Sequence, residues 1–296
     1  MKLGSQRVGD LCILSEAVLW GAFPVITILS FTSLTPLVSL GWSTLLASVV
    51  FGVLLTVRGK WSDVWNPRAM KDVLLTAFVL GFLYYILFFF GLQYTSAGNA
   101  SIIALSELFF SYCFFHLFRK EHIPPVHLIG AVLMIFAAGV ILYPNIHAFQ
   151  IGDLLILGAS LIAPFGNLLQ RRARREVSSE SIMFVRSVVT TVAVFCLAYA
   201  FGTNPLSINF DGGILWVLLI NGIFLFGFSK ILWIEGIHRI SVTKANALAS
   251  LSPLVTLIFA YVLLNAVPTV WQVFAFVPMF LGVLLLSQHK QKTPAL

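Results

Sequence analysis

Six charged side chains interrupt long apolar stretches of this sequence, and they are the residues whose chemistry stands out first. They are Glu16, Glu107, Arg186, Lys230, Glu235 and Lys244. At the centre of a membrane-spanning helix a charge costs about 2.5–3.5 kcal/mol on insertion scales, so such a residue usually binds a solute or carries a proton. Whether that applies here depends on which stretches can span a bilayer and how deep each charge lies.

Glu107 is near the middle of its apolar stretch. On a helix it would share a face with Ala100, Ile103, Ala104 and Ser111. These mostly small neighbours leave room for a partner helix or a ligand. We interpret Glu107 as a carboxylate that binds a solute or couples to a proton. A hydrogen-bonded glutamate that only packs one helix against another is the alternative.

Other polar and aromatic residues of the apolar stretches are candidates for the same site. Rings that carry a polar atom suit the wall of a cavity, and four of them are singled out, namely Trp20, Tyr84, Tyr85 and Trp233. Neutral side chains could hydrogen-bond a solute or another helix, and the candidates are Asn99, Ser101, Asn167 and Asn246. Glu16 and Lys230 complete the set. A purely structural pair of Glu16 with Lys230 or Arg186 is the alternative for these two.

The composition excludes a soluble protein. Of the 296 residues 59% are hydrophobic and 10% are charged, and the mean hydropathy is +0.98, whereas an average soluble domain is roughly 45–50% apolar and 25% charged. So few charges cannot cover a surface exposed to water. The three cysteines lie far apart within apolar runs, so they fit neither a disulfide scaffold nor a metal site, and Cys12, Cys113 and Cys196 are interpreted as packing residues.

Ten apolar segments are long enough to cross a bilayer, which takes about 20 residues each. Prolines and glycines punctuate the gaps between them, and no gap is long enough for a soluble domain. The first segment contains Glu16 and lacks a small-residue cleavage site, so it is expected to be a retained helix rather than a signal peptide. The segments lie at roughly 11–30, 36–57, 72–93, 97–118, 124–144, 152–171, 181–202, 212–236, 243–264 and 268–287.

The basic residues fall on one side of this arrangement. Of the 18 Lys and Arg residues, fifteen lie at the two termini or after the even-numbered segments, and the loops after the odd-numbered segments have none. An excess of Lys and Arg marks the cytoplasmic side of a membrane protein. Both termini are therefore predicted to be cytoplasmic, and the net charge of +7 needs no nucleic-acid partner.

This orientation separates the charged residues by depth. Glu235, Lys244 and Arg186 lie within about five residues of cytoplasmic helix ends, roughly 8 Å along a helix. Side chains at that depth can reach the surface or form salt bridges at the rim. Glu16 and Lys230 lie slightly deeper, and Glu107 is too deep to reach the surface.

The two halves of the chain, 1–144 and 145–296, repeat each other at an offset of about 143–146 residues. Gly9-Asp10-Leu11 matches Gly152-Asp153-Leu154, and Ile123-Pro124-Pro125-Val126 matches Val267-Pro268-Thr269-Val270. Each half holds five segments, and an odd number means that the second half enters the membrane from the opposite face. The pattern predicts an inverted repeat, a design typical of secondary transporters.

At several positions the sequence resembles the EamA-type branch of the drug/metabolite transporter superfamily, over nearly its whole length. The matching motifs are Trp20-Gly21 with Pro24, Gly91 to Ala97, Arg119-Lys120-Glu121, His127 to Ala131 and Ala138-Gly139-Val140. Two positions depart from the family pattern. Glu107 stands where the family usually has proline, and Asn265 stands where it usually has glutamate.

The resemblance implies an all-α integral membrane fold of ten transmembrane helices, arranged as two inverted five-helix repeats around a central cavity. It also implies a secondary or facilitative transporter that works by alternating access in the bacterial inner membrane, without a cofactor or metal. Among such proteins the chain is most similar to bacterial exporters of amino acids, especially aromatic ones. The expected partners are a small-molecule substrate, the lipid bilayer and a coupling proton, and a monomer is compatible with the pattern.

Two other functions stay open from the sequence. One is a multidrug or nucleotide-sugar carrier of the same superfamily. The other is a membrane-embedded lipid-modifying enzyme, for which His238 with Glu235 is the nearest candidate pair. The sequence contains no phosphate-binding G-x-x-x-x-G-K-[ST] loop, no H-E-x-x-H motif and no G-x-S-x-G motif. We therefore expect transport rather than catalysis, driven by a gradient rather than by ATP.

Overall fold

Helices form all the regular structure of the residues that the computed structural model describes, which are 2–119, 125–142, 150–207, 212–240 and 242–287. The first half contains α1 (Lys2–Ser30), α2 (Pro36–Arg58), α3 (Trp61–Val64), α4 (Pro67–Thr76), α5 (Tyr84–Gln93), α6 (Ala97–Ala104), α7 (Ser106–Arg119) and α8 (Pro125–Leu142). The second half contains α9 (Ile151–Ala173), α10 (Ser179–Ala200), α11 (Gly212–Leu219), α12 (Ser229–Ile237), α13 (Val242–Ala249), α14 (Ser252–Leu264) and α15 (Val270–Ser287).

Eight of the described helical stretches are long and apolar enough to cross a membrane. They are Gly4–Ser30, Pro36–Arg58, Pro67–Gln93, Ala97–Phe114, Ile151–Ala173, Ser179–Ala200, Gly212–Ile237 and Lys244–Leu264. Two shorter apolar helices, Pro125–Ile141 and Val270–Leu285, lie where the fifth and tenth segments are expected. An integral membrane fold is therefore supported, and the count of ten crossings stays a prediction.

Local sequence signals set several helix boundaries. The hydroxyl of Thr35 accepts a hydrogen bond from the backbone N–H of Val38, and Pro36 occupies the first turn of α2, where its missing N–H costs nothing. The same helix ends at Gly59, whose φ of 62° is readily adopted only by glycine. Ser96 caps α6 in the same way by accepting from the N–H of Asn99.

Two membrane stretches change their helical winding midway. A π-helical segment, Ala77–Leu83, joins α4 to α5, and a second one, Ile220–Phe228, joins α11 to α12. The following stretches are interrupted as well, at Leu105 between α6 and α7 and at Ser250–Leu251 between α13 and α14. Such irregular turns are often found at functional sites because they redirect side chains and free backbone groups.

The helices pack in pairs that each join the first half of the chain to the second. The helix α8 packs on α15, α2 on α10, α5 on α9, α1 on α12 and α6 on α14. Outward-facing side chains are large and apolar, as a lipid environment requires, and examples are Val53 at 60% exposure, Trp216 at 67% and Val262 at 63%. Where the helices converge, Phe23 is fully buried among Phe88, Phe89 and Phe226.

Candidate functional site

Glu107 is held by a polar contact between two helices. It lies in the first turn of α7, immediately after the interruption at Leu105. The amide Nδ2 of Asn167, on α9, donates a hydrogen bond of 2.7 Å to its Oε1. The partial positive charge at a helix N-terminus also favours a carboxylate there. Ten residues separate Glu107 from the start of α6, about 15 Å along a helix, which is half the thickness of a bilayer core.

Lys230 lies over the ring of Trp20. Its Nζ is 3.4 Å from the ring centroid, a cation–π contact between α12 and α1. Glu16 lies one helical turn before Trp20, is 4% exposed, and interacts electrostatically with Lys230. Lys230 also interacts with Glu107, so it links the two carboxylates.

Arg186 is directed into the bundle rather than towards the rim, where the sequence suggested it would lie. Its Nη1 is 3.4 Å from Oε1 of Gln170 on α9, and it interacts electrostatically with Lys230 and with Tyr84 and Tyr85. Gly81 makes room for this path, because a Cβ on Gly81 would lie 2.9 Å from Cγ of Arg186. A charged residue near a helix end thus belongs to the interior cluster.

The aromatic candidates pack on one another. Tyr84 and Tyr85 are nearly buried, with ring centroids 5.1 Å apart and at right angles, and Tyr85 lies 4.8 Å from Phe226. Trp20 stacks on Phe23 at 4.7 Å in addition to its contact with Lys230. The face of the Trp20 ring is thus occupied by the ammonium of Lys230.

Glu107 and Lys230 are both partly buried, and they interact electrostatically with each other. The geometry thus unites Glu107, Asn167, Lys230, Trp20 and, through Lys230, Glu16.

A cavity of about 630 Å³ lies at the helix ends that the charge pattern predicts to be cytoplasmic. We call it the basic pocket, and its lining includes Arg58, Lys60, Arg174, Glu180, Glu235, His238 and Arg239. Arg58 pairs with Glu180 and, at 3.3 Å, with Glu235, which also pairs with Arg239. The hydrogen bond to Glu235 raises the pKa of the exposed Arg239 guanidinium above its ordinary value.

A second cavity, of about 580 Å³, lies at the opposite helix ends. We call it the neutral pocket, and its polar lining includes Gln93, Thr95, Ser96, Asn99, Gln150, Thr269 and Gln272. The amide Nε2 of Gln272 donates to Oδ1 of Asn99 at 2.8 Å and to the hydroxyl of Ser96 at 3.1 Å. Asn99 therefore lies in this pocket, separate from the charged cluster.

Among the residues that the structure describes, no hydrogen bond joins the three further candidates Ser101, Trp233 and Asn246 to Glu107. The hydroxyl of Ser101 donates to the carbonyl of Gly98 at 2.9 Å within its own helix turn. Trp233 packs against a small apolar cluster with Ile13 and Ala245. Asn246 is half-buried on α13. Within the described residues, His, Cys, Asp and Glu form no group of three that could hold a metal ion.

Two residues that contact the candidate site, Gly81 beside Arg186 and Phe226 beside Tyr85, were not singled out from the sequence. A signal for Gly81 does exist, because Gly227 lies 146 residues later and so matches the repeat offset. Both glycines lie in π-helical segments and both face a neighbouring helix closely. Phe226 carries no such signal, since it is one of 27 phenylalanines.

Comparisons with known proteins agree with this architecture. The family model for EamA-like transporters matches the chain twice, over residues 7–143 and 150–288. The uncharacterized transporter YoaV of Bacillus subtilis is 20% identical over 257 residues, which cover 86% of this chain and 87% of YoaV. The uncharacterized inner membrane transporter YhbE of Escherichia coli K12 is 25% identical over 272 residues, which cover 88% of this chain and 83% of YhbE.

The fold likewise has a solved counterpart. A protein of known crystal structure superposes with a TM-score of 0.68 at 18% identity, and the match covers 95% of this chain and 96% of that one. At this identity the likeness concerns the fold alone. Because the family model accounts for nearly the whole chain in two successive matches, the protein is a multi-pass membrane protein that belongs to the EamA-like transporter family.

Proposed function

We propose that the protein is a secondary or facilitative transporter that exports amino acids with apolar, often aromatic, side chains across the bacterial inner membrane. The observation that carries this proposal is Glu107, a partly buried carboxylate near the middle of its apolar stretch that is held by a hydrogen bond from Asn167. A charge at this depth is costly, so its presence indicates a function. A carboxylate is a natural hydrogen-bond acceptor for an ammonium group.

Nearby groups suit the rest of such a solute. Tyr84 and Tyr85 interact electrostatically with Glu107, so their rings lie close to where a bound ammonium would be. Together with Phe226 they offer apolar surface for a side chain once the cluster rearranges around a ligand. Phe23 extends the same surface.

The positions of the two pockets support alternating access. Lys230 lies four residues before Ile234, which lines the basic pocket, and this is about 6 Å along a helix. Glu107 lies eight residues after Asn99, which lines the neutral pocket, and this is about 12 Å along the α6–α7 pair. One or two helical turns thus separate the charged cluster from each pocket, and opening one side at a time would expose it alternately.

An inverted repeat of residues 1–144 and 145–296 would supply the two conformations. The two family matches, the pairing of helices between the halves and the two π-helical segments all support it. The two arrangements would interconvert by rocking of one half against the other. Since the sequence lacks an ATP-binding loop, a gradient of the solute or of protons would drive the process, with Glu107 as the group that exchanges protons.

The experiment is transport by the purified protein in liposomes. Phenylalanine, tryptophan and leucine would be compared with an organic drug cation and a nucleotide sugar, each with and without a pH gradient. We expect saturable flux of the aromatic amino acids above that of protein-free liposomes. Flux of the drug cation or the nucleotide sugar alone would replace this proposal with a multidrug or nucleotide-sugar carrier.

A further inference from the structure

The ammonium of Lys230 lacks an acceptor within the described part of the chain. No hydrogen bond and no ion pair within 4 Å reaches its Nζ among these residues, and its near contact is the ring of Trp20 at 3.4 Å. An ammonium carries three N–H donors, and a ring face replaces only part of the solvation that they lose. Lys230 therefore has N–H donors that no acceptor satisfies within the described part of the chain.

Arg186 is a second cation of the same kind. Its guanidinium carries five N–H donors, and one of its nitrogens makes a long hydrogen bond of 3.4 Å to Gln170. The side chain passes over Gly81 and interacts unfavourably with Lys230, because both are positive. Lys230 and Arg186 repel each other, and most of their N–H donors have no acceptor among the described residues. Such a pair of cations favours the binding of an anion.

When all four side chains are ionised, the charges of the cluster sum to zero. Glu16 and Glu107 then contribute two negative charges, and Lys230 and Arg186 contribute two positive ones. A solute that carries only a carboxylate or only an ammonium would leave a net charge in the middle of the bilayer, which is costly. A solute that carries both keeps the sum at zero and gives each sign a partner.

We propose that Lys230 and Arg186 form a carboxylate subsite, so that the transported solute is a zwitterion whose carboxylate binds there while its ammonium binds Glu107. This inference rests on the proposed function and narrows it, because amines and simple carboxylic acids become poor substrates. Glu16 is then the counter-ion that balances Lys230 while the subsite is empty. The electrostatic interaction between Glu16 and Lys230 is consistent with this role.

A comparison of phenylalanine with phenethylamine, which lacks the carboxylate, tests the subsite. In liposomes the wild-type protein is expected to transport phenylalanine at least about tenfold faster, because a site built for a polar group rejects the analogue that lacks it. In Lys230→Gln, and in Arg186→Gln, the ratio of the two rates should fall towards one through loss of phenylalanine flux. Lys230→Arg keeps the charge and should restore most of the preference.

Lys244→Gln is the matched control. It also removes one lysine charge, but from a half-exposed residue paired with Asp10 at the helix ends, and the ratio should stay at its wild-type value. Phenylalanine methyl ester tests the same point in the wild-type protein without any variant. The ester lacks the carboxylate charge and should compete with phenylalanine at least about tenfold more weakly than unlabelled phenylalanine does.

The outcomes separate this inference from the proposed function. Suppose that the wild type transports phenylalanine and that the methyl ester competes with it as strongly as unlabelled phenylalanine does, or that folded Lys230→Gln and Arg186→Gln keep the wild-type ratio. Either result refutes the carboxylate subsite and leaves amino-acid transport standing. If the wild type transports phenethylamine and not phenylalanine, amino-acid transport is refuted and the subsite with it. Should the variants fail to insert, the ester competition alone decides.

Discussion

Asn167 donates its 2.7 Å hydrogen bond to Glu107 across the contact between α9 and α7, so one residue from each half of the chain contributes to this polar contact. The bond uses Oε1 of the carboxylate and fixes its direction. Oε2 can then accept from another donor, such as a solute ammonium or a proton. Movement of one half against the other would change this contact directly, which ties solute binding to the conformational change.

Removal of the Asn167 amide should weaken both stability and transport. Asn167→Ala is expected to lower the free energy of unfolding by about 1 kcal/mol, the usual size of an interhelical hydrogen bond in a membrane. Transport should fall as well, because Glu107 loses its fixed direction. Thermal unfolding in detergent and flux in liposomes measure the two effects.

Asn204→Ala serves as the control for this prediction. The side chain of Asn204 is also hydrogen-bonded, but as the acceptor from the N–H of Leu206 and in an exposed turn. Its replacement should leave transport unchanged. Wild-type stability and flux in Asn167→Ala would show that the contact with Glu107 has neither role.

Close packing of α9 against the end of α5 predicts a second effect. A Cβ on Gly152 would lie 2.6 Å from the carbonyl oxygen of Gly91, and the backbone of Tyr94 would be as close. Backbone atoms cannot move aside, so Gly152→Ala is expected to destabilise the protein by about 1–3 kcal/mol. Gly139→Ala, where nothing lies within 4 Å, should be neutral or slightly stabilising. Equal melting temperatures for the two variants would contradict the close approach.

Two ion pairs at the same helix ends, one inside the basic pocket and one outside it, should contribute unequally to stability. Arg58 pairs with Glu180, whose side chain is 8% exposed, so Arg58→Gln leaves a nearly buried carboxylate without this partner. We expect a loss of about 1–2 kcal/mol, reduced by the partial exposure of Arg58 itself. Lys244→Gln breaks a more exposed pair with Asp10 and should cost less than about 1 kcal/mol. Thermal unfolding at low and high salt compares the two, and the reverse order would contradict the structure.

Helix positions were the part of the fold most open to prediction from sequence. Apolar runs with proline and glycine boundaries predicted segments at roughly 36–57 and 152–171, and the structure has helices at Pro36–Arg58 and Ile151–Ala173. Hydropathy and turn residues depend on local sequence, so they set such boundaries well. The π-helical segments were not predicted, because they depend on packing against neighbouring helices rather than on composition.

The candidate site was predicted in its residue types and less well in its contacts. Depth along the chain singled out Glu107, Glu16 and Lys230, since an apolar run reveals a buried charge. It could not show which way a side chain points, and Arg186 turns inward because Gly81, on a different helix, leaves room for it. In the same way the ring of Trp20 is covered by Lys230, which is distant in sequence.

The charge pattern also predicts which pocket faces the cytoplasm. In a cysteine-free background, Lys60→Cys should react with an impermeant thiol reagent only from the cytoplasmic side. Thr203→Cys should react only from the opposite side, because it follows α10 at the other end of the bundle. Labelling of both from the same side would overturn the predicted orientation.

The most direct test of a solute-binding carboxylate is the rate of phenylalanine transport by Glu107→Gln in liposomes. The substitution keeps the size of the side chain and its capacity to accept from Asn167, and it removes the charge. Loss of a charge-assisted hydrogen bond, worth about 1.5–3 kcal/mol, predicts a fall of at least about tenfold, with the melting temperature maintained. A folded, inserted variant that transports phenylalanine at the wild-type rate from pH 5 to pH 8 would contradict a role for the charge of Glu107 in transport.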